Sequence, residues 1–181
     1  KKADKERVAL QFDKDGQRDM FQVFANGGVG LIFSILHFVT KNPLYLLLIS
    51  VAFASANADT WATELGVLNK KDPISLKTFK RVEKGTSGAV SLIGTLAALG
   101  GALIIGIFSA VALRFSRMEI MGFDCSRFPF LVTIGGFMGC MADSILGATL
   151  QGVYYCEDLK GETERRAFKG KSNKLARGFA F

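Results

Sequence analysis

This chain of 181 residues has one histidine, three cysteines and three prolines. Each scarcity excludes something. One histidine, His37, makes no metal cluster, and no Ser/His/Asp or Cys/His set exists to support a covalent mechanism. Cys125, Cys140 and Cys156 lie in three separate regions without CxxC spacing, which argues against a zinc site or a disulfide framework. No GxxxxGK[ST] run is present, so there is no Walker A loop. No segment combines a basic start, a short apolar middle and a small-residue cleavage site, so no signal peptide is read. The first residue is Lys rather than Met, as in a processed form, a fragment or the ordered part of a longer chain.

What the sequence has in quantity is segregated. It is 49% hydrophobic and 22% charged, with 20 Gly and 16 Phe. The apolar residues fall in four blocks, about 20–40, 44–68, 86–113 and 128–155. Each is long enough for a bilayer, which takes roughly 20 apolar residues. The run GAVSLIGTLAALGGALIIGIFSAVAL (88–113) carries no charge at all. The mean hydropathy is only +0.27 because charged connectors dilute it. The expectation is an all-α, polytopic integral membrane helical bundle, one transmembrane domain over residues 1–181 with four transmembrane helices.

The charges orient it. Residues 1–19, the loop 69–85 and the tail 156–181 hold 19 of the 23 Lys and Arg; the remaining four are Lys41, Arg114, Arg117 and Arg127. By the positive-inside rule the termini and the 69–85 loop are cytoplasmic. The net charge of +7 then reflects connectors beside anionic headgroups, and nucleic acid is not needed to explain it.

The stretch SANADTWATELGVL (55–68) prolongs the greasy run LYLLLISVAFA (44–54), yet contains Asp59 and Glu64. A carboxylate in hydrocarbon costs about 2.5–3.5 kcal/mol on insertion scales. Asp143 sits in the fourth block among apolar and small residues. With the spans alternating in direction, Gln22, Asn26, Asn57, Asp59, Thr60, Thr63, Glu64, Asp143, Ser144, Thr149 and Gln151 all fall in the cytoplasmic half. Acids gathered at one depth can share a cation. Asp143, Gly147 and Gln151 follow the i, i+4, i+8 spacing of one helix face. Asp59 and Glu64 are about 140° apart on a regular helix, so Asp59 is expected as the inner ligand and Glu64 as a second or outer one.

A second polar stretch is KRVEKGTSGAVS (80–91). Lys80, Arg81 and Lys84 lead into Gly85, Thr86, Ser87 and Gly88, expected to open the third helix. A helix N-terminus with free N–H groups, glycines and hydroxyls makes a phosphate seat. Acids for Mg²⁺ beside cations for phosphate are the equipment of phosphoryl transfer.

Five motifs in order, RDMFQVFANG (18–27), ANADTWATELG (56–66), KGTSGAVSLIGT (84–95), DSILGATLQ (143–151) and CEDLKGETERR (156–166), resemble the membrane family called domain of unknown function 92. That family includes vertebrate transmembrane protein 19 and plant phytyl-phosphate kinase. The resemblance implies phosphorylation of an isoprenoid monophosphate to the diphosphate, with CTP as donor by analogy with phytol and dolichol kinases. It also implies further helices outside the matched motifs. The expected site has Asp59, Asp143 and Glu64 on Mg²⁺. Lys80, Arg81, Lys84 and residues Gly85, Thr86, Ser87 and Gly88 hold nucleotide phosphates. Asn26, Asn57, Ser144 and Gln151 orient groups, and Arg165 and Arg166 close over the nucleotide. Expected partners are the bilayer, the lipid phosphate and the nucleotide, with a homo-oligomer left open. The location is a prokaryotic inner or plasma membrane with the site facing the cytoplasm, or a plastid membrane in a plant. Two other readings use the same residues: cytidylyl transfer from CTP to a lipid phosphate, and small-solute or cation transport. A non-catalytic membrane scaffold would show no dependence on Mg²⁺ or nucleotide.

Overall fold

The structure is a computed structural model. It describes residues 20–82, 84, 86, 88–116, 126–156, 161–163, 167–168 and 171–179, with the backbone alone at 20–23, 25–26, 116, 161–163, 168, 171 and 177. Among the described residues four helices dominate: α1 (Met20–Thr40), α2 (Leu44–Gly66), α3 (Leu92–Ser116) and α4 (Phe128–Thr149). Seven short strands accompany them among the described residues: β1 (Ile74–Ser75), β2 (Ala89–Val90), β3 (Val153–Cys156), β4 (Gly161–Thr163), β5 (Ala167–Phe168), β6 (Lys171–Ser172) and β7 (Lys174–Arg177). The bundle is therefore mostly helical rather than all-α.

Among the described residues, three helices, α2, α3 and α4, are long and apolar enough to cross a membrane. The apolar part of α1, Gly27–Thr40, is shorter. The chain divides into two compact units.

The first unit takes in Asp19–Gly66 and Ile93–Met141. Its α1–α2 connection is a capped corner. Lys41 turns the chain with φ 56°. The Asn42 side-chain oxygen accepts the Leu44 N–H at 2.9 Å, and Pro43 occupies the first helical position, where a missing N–H costs nothing. The rings of Phe33 and Tyr45 stack at 6.1 Å across the hairpin. The core is built mostly of small side chains, Ala54 and Ala58 of α2, Ala98 and Ala102 of α3, and Val132 and Cys140 of α4, with Phe128 as its one large member. Small residues suit membrane packing, where attraction comes from close backbone approach and not from expulsion of water. The contact of α2 with α4 shows how close. A Cβ on Gly136 would come within 2.5 Å of the Ala54 Cβ, and one on Gly139 would run into the Ser55 hydroxyl. Large apolar side chains point the other way; Phe38, Phe108 and Phe130 are 73%, 69% and 66% exposed. In water such a surface would aggregate, whereas in a bilayer it is the lipid face.

The second unit takes in Val67–Leu92 and Ala142–Phe181. Its segment between α2 and α3 is closed by β1 pairing antiparallel with β2, Ile74 opposite Val90 and Ser75 opposite Ala89. The tail, expected only as a cytoplasmic segment, forms an antiparallel sheet in the order β4-β3-β7, and β5 pairs with β6. It returns to the end of α4, where the Phe179 N–H donates to the Leu150 carbonyl at 3.0 Å. Gly178 makes that return possible: its φ of +80° and its contact with the Gln151 carbonyl exclude any side chain.

Two expected boundaries move. The third helix begins at Leu92 rather than residue 86, because Ala89 and Val90 are taken into β2. The fourth ends at Thr149 rather than 155, because VYYC, rich in β-branched and aromatic residues, pairs as β3.

Candidate functional site

The polar end of α2 is organised by two side chains that face α3. Asn57 donates from Nδ2 to the Gly101 carbonyl at 2.9 Å. Trp61, one turn on, covers the same glycine; a Cβ on Gly101 would lie 3.1 Å from the indole. Asn57 thus ties two helices together by satisfying a backbone carbonyl in an apolar setting. That contact engages Nδ2 in helix packing. The hydroxyls beside it turn inward: Thr60 donates to the Ala56 carbonyl and Thr63 to the Asp59 carbonyl, each at 2.9 Å.

Asp59 lies two residues from both Asn57 and Trp61, so it is turned about 180° from the α3 contact. It shares a face with Ser55, one turn earlier, which packs on Gly139 of α4. Asp59 is half-buried and Glu64, near the end of the helix, is exposed. Measured along α2 from Gly66, Asp59 is set back by about 10 Å and Glu64 by about 3 Å. These two acids belong to the first unit.

Asp143 and Ser144 lie on the last two turns of α4, in the second unit. Asp143 is exposed and Ser144 half-buried. Asp143 is set back about 9 Å from Thr149. Gln151 leaves the expected helical face because α4 stops at Thr149; it forms an isolated bridge with Phe179. Among the described residues no three His, Cys, Asp or Glu side chains group so as to hold a metal ion.

The expected phosphate seat takes a different form. The Gly88 backbone is left-handed, φ +67°, and sits in a turn before β2, not at a helix N-terminus. Its carbonyl accepts the Leu76 N–H at 3.1 Å. The space its absent side chain leaves is filled by Ala148 of α4, so Gly88 packs loop against helix. The Thr86 carbonyl accepts the Ala89 N–H at 3.2 Å. Lys84 is turned to the chain just past α2: Nζ donates to the Asn69 carbonyl at 2.6 Å and, more weakly, to the Val67 carbonyl at 3.4 Å. The ammonium thus satisfies two carbonyls of the loop itself. Lys84 is thereby a brace of the loop. Lys80 and Arg81 are exposed. Gly85, Ser87, Arg165 and Arg166 lie outside the described residues, as does the side chain of Asn26 on α1.

One expected outcome separates the brace from a phosphate ligand. Lys84→Met keeps the apolar stem and removes both hydrogen bonds, one of them charge-assisted and short. The loop should loosen by about 1.5 kcal/mol, read as faster amide exchange across residues 69–84. Unchanged exchange with lost nucleotide affinity would contradict the bracing role.

The sequence marks Gly135, Gly136 and Gly139 as keeping the fourth span slim, and with Ser55, which sequence reasoning does not single out, they set the distance between α2 and α4. Their signal was the recurrence of small residues four apart on both helices.

Comparison with known proteins completes the assignment. The model of the integral membrane protein family DUF92 matches residues 1–181. An uncharacterized membrane protein of Methanocaldococcus jannaschii is 36% identical over 134 residues, covering 74% of this chain and 52% of the relative. Protein PGR of Arabidopsis thaliana is 32% identical over 174 residues, covering 84% of this chain and 58% of the relative. An uncharacterized membrane protein of Synechocystis is 27% identical, covering 82% and 55%. The chain thus spans little more than half the length of these curated relatives. No solved structure matches it. Its apolar helices, its small-residue core and the match along its whole length agree: this chain belongs to the DUF92 family of integral membrane proteins.

Proposed function

We propose that the protein is a membrane-embedded, Mg²⁺-dependent kinase that converts an isoprenoid monophosphate to the diphosphate, with CTP as the favoured donor. One observation carries the reading. Within the first unit α2 meets α4 in steps of four residues, Val51 at Gly135 and Ser55 at Gly139. The next step in each sequence is an acid: Asp59 after Ser55, Asp143 after Gly139. Each acid is set about 9–10 Å back from the end of its own helix, at the polar end of an otherwise apolar span. Both are costly in hydrocarbon.

The donor chemistry fits Mg²⁺. It prefers hard oxygens and is held by one or two carboxylates together with substrate phosphates. A sparse protein ligand set is therefore what such a site presents. Asp59 and Asp143 would hold the ion, with Glu64 near the rim. When bound, the ion neutralises phosphate charge. Lys80 and Arg81, exposed on the loop that follows α2, supply positive charge for the nucleotide. The isoprenoid tail lies along the apolar faces of the helices, and its phosphate reaches the polar helix ends. An oxygen of that phosphate forms the new bond to the γ-phosphorus, and the bond from that phosphorus to the β,γ-bridging oxygen breaks. The nucleoside diphosphate leaves with that oxygen. A phosphate oxygen is already nucleophilic and needs no strong base. The implied activity of the plant relatives of this family supports the substrate class, and the orientation of the site toward the cytoplasm follows from the basic connectors.

The test uses the purified full chain in detergent with Mg²⁺, each of the four nucleoside triphosphates, and farnesyl, geranylgeranyl and phytyl phosphates, read by mass spectrometry. The expected products are CDP and a lipid diphosphate. Release of pyrophosphate with a CDP-lipid would replace the kinase by a cytidylyltransferase. No consumption of any nucleotide would remove both.

A further inference from the structure

The segment between α2 and α3 carries a feature the catalytic reading does not use. Its tip is tightly built. The Ser75 N–H donates to the Lys80 carbonyl at 3.0 Å, the Phe79 N–H to the Ser75 carbonyl at 2.8 Å, and the Val82 N–H to the Pro73 carbonyl at 3.0 Å. Pro73 and Ser75 are buried beneath it. On this rigid base Phe79 adopts φ 53°, a left-handed conformation that a bulky side chain seldom takes. The result is a ring 79% exposed. Ile74, at the base, is also exposed. Lys77, Lys80 and Arg81 surround the ring in sequence and all are exposed. Folding that only needed a polar connector would have no use for a strained, uncovered phenylalanine.

Topology says what covers it. The segment leaves one membrane-length helix at Gly66 and enters another at Leu92. A connector of that length, folded back on itself by the β1–β2 pair, stays beside the bilayer surface. An aromatic ring among cations at that level matches the headgroup zone of an anionic leaflet. Rings sit there by their amphipathic character, and each nearby Lys or Arg is attracted to acidic lipid.

We propose that this tip is an interfacial anchor: Phe79 inserts among lipid headgroups, and Lys77, Lys80 and Arg81 bind anionic lipid around it. The anchor fixes the loop at the depth of lipid phosphates. Lys80 and Arg81 are shared with the proposed nucleotide site, whereas Phe79 and Lys77 are not used there, so those two positions test the anchor separately from the kinase reading.

The test places the full chain in nanodiscs of phosphatidylcholine alone or with one third phosphatidylglycerol. Phe79→Trp adds a reporter to the single native Trp61, whose signal is subtracted using the unsubstituted protein. The added indole is expected to be shielded from water and quenched by lipids brominated near the headgroup, more so with phosphatidylglycerol. Changing Lys77, Lys80 or Arg81 to Gln should weaken docking by about fivefold each. Phe79→Gly tests the ring without strain, because glycine accepts this φ; amides 74–82 should then lose the protection that phosphatidylglycerol confers. An indole exposed to water in both discs would overturn the anchor. So would quenching that ignores lipid charge and all three cations, which would mean a protein-covered ring.

Discussion

Asp59→Asn is expected to lower turnover of prenyl phosphate and CTP by at least about a hundredfold, the scale seen when one preorganised charge-stabilising group is removed. The same change should leave the fold intact or slightly firmer. Asn is close to isosteric with Asp, keeps an acceptor oxygen, and removes a charge that costs about 2.5–3.5 kcal/mol at the centre of a spanning helix. The Thr63 hydroxyl bonds the backbone carbonyl of residue 59, not its side chain, so that contact survives. The two readouts should move in opposite directions, as they do where a site is kept at the expense of stability. Thermal unfolding in detergent and single-turnover product analysis measure them. Full activity in the folded variant would end the role of Asp59.

The largest effect on stability is expected at Gly136. A side chain there meets the Ala54 Cβ at 2.5 Å, the Ala54 carbonyl carbon at 2.9 Å and the Ser55 nitrogen at 3.1 Å. Two of these atoms are backbone, so no rotamer relieves the clash and α2 must move off α4. Gly136→Val should cost about 3 kcal/mol, the upper end of ordinary overpacking. Gly28→Ala is the control, since nothing lies within 4 Å of the added Cβ, and it should unfold like the parent. Comparing unfolding midpoints in mixed micelles of increasing denaturing detergent checks both. An unaffected Gly136→Val would mean that the α2–α4 contact is not as close as described. The spacing on which the proposed function rests would go with it.

Much of this was legible in the residues, and the reasons are physical. Apolar length alone places α1 at 20–40 and the start of α2 at Leu44, where Asn42 and Pro43 form a cap that sequence advertises. It also places the start of α4 at Phe128. Composition fails where apolar residues stop being helical. Ala89 and Val90 read as helix until their pairing with Ser75 and Ile74 is known, and that pairing is non-local. Val153, Tyr154, Tyr155 and Cys156 carry a β-prone pattern, but they directly follow a spanning helix and were absorbed into it. The candidate site divides in the same way. That Asp59, Glu64 and Asp143 are anomalous can be seen from their cost in lipid. That Lys84 braces the loop cannot, because its partners are backbone carbonyls that leave no mark in the sequence. Asn57 was noticed as polar, but its tie to Gly101 spans 44 residues.

The central claim is that Asp59 and Asp143 serve one charge centre. A double-mutant cycle tests it most directly, using Asp59→Asn, Asp143→Asn and the pair, with Mn²⁺ and CTP binding to the nanodisc-held protein followed by electron paramagnetic resonance. Groups that share a ligand give strongly non-additive losses, so the double variant should bind the ion hardly worse than either single one. Losses that simply multiply would show two independent acids and contradict the account.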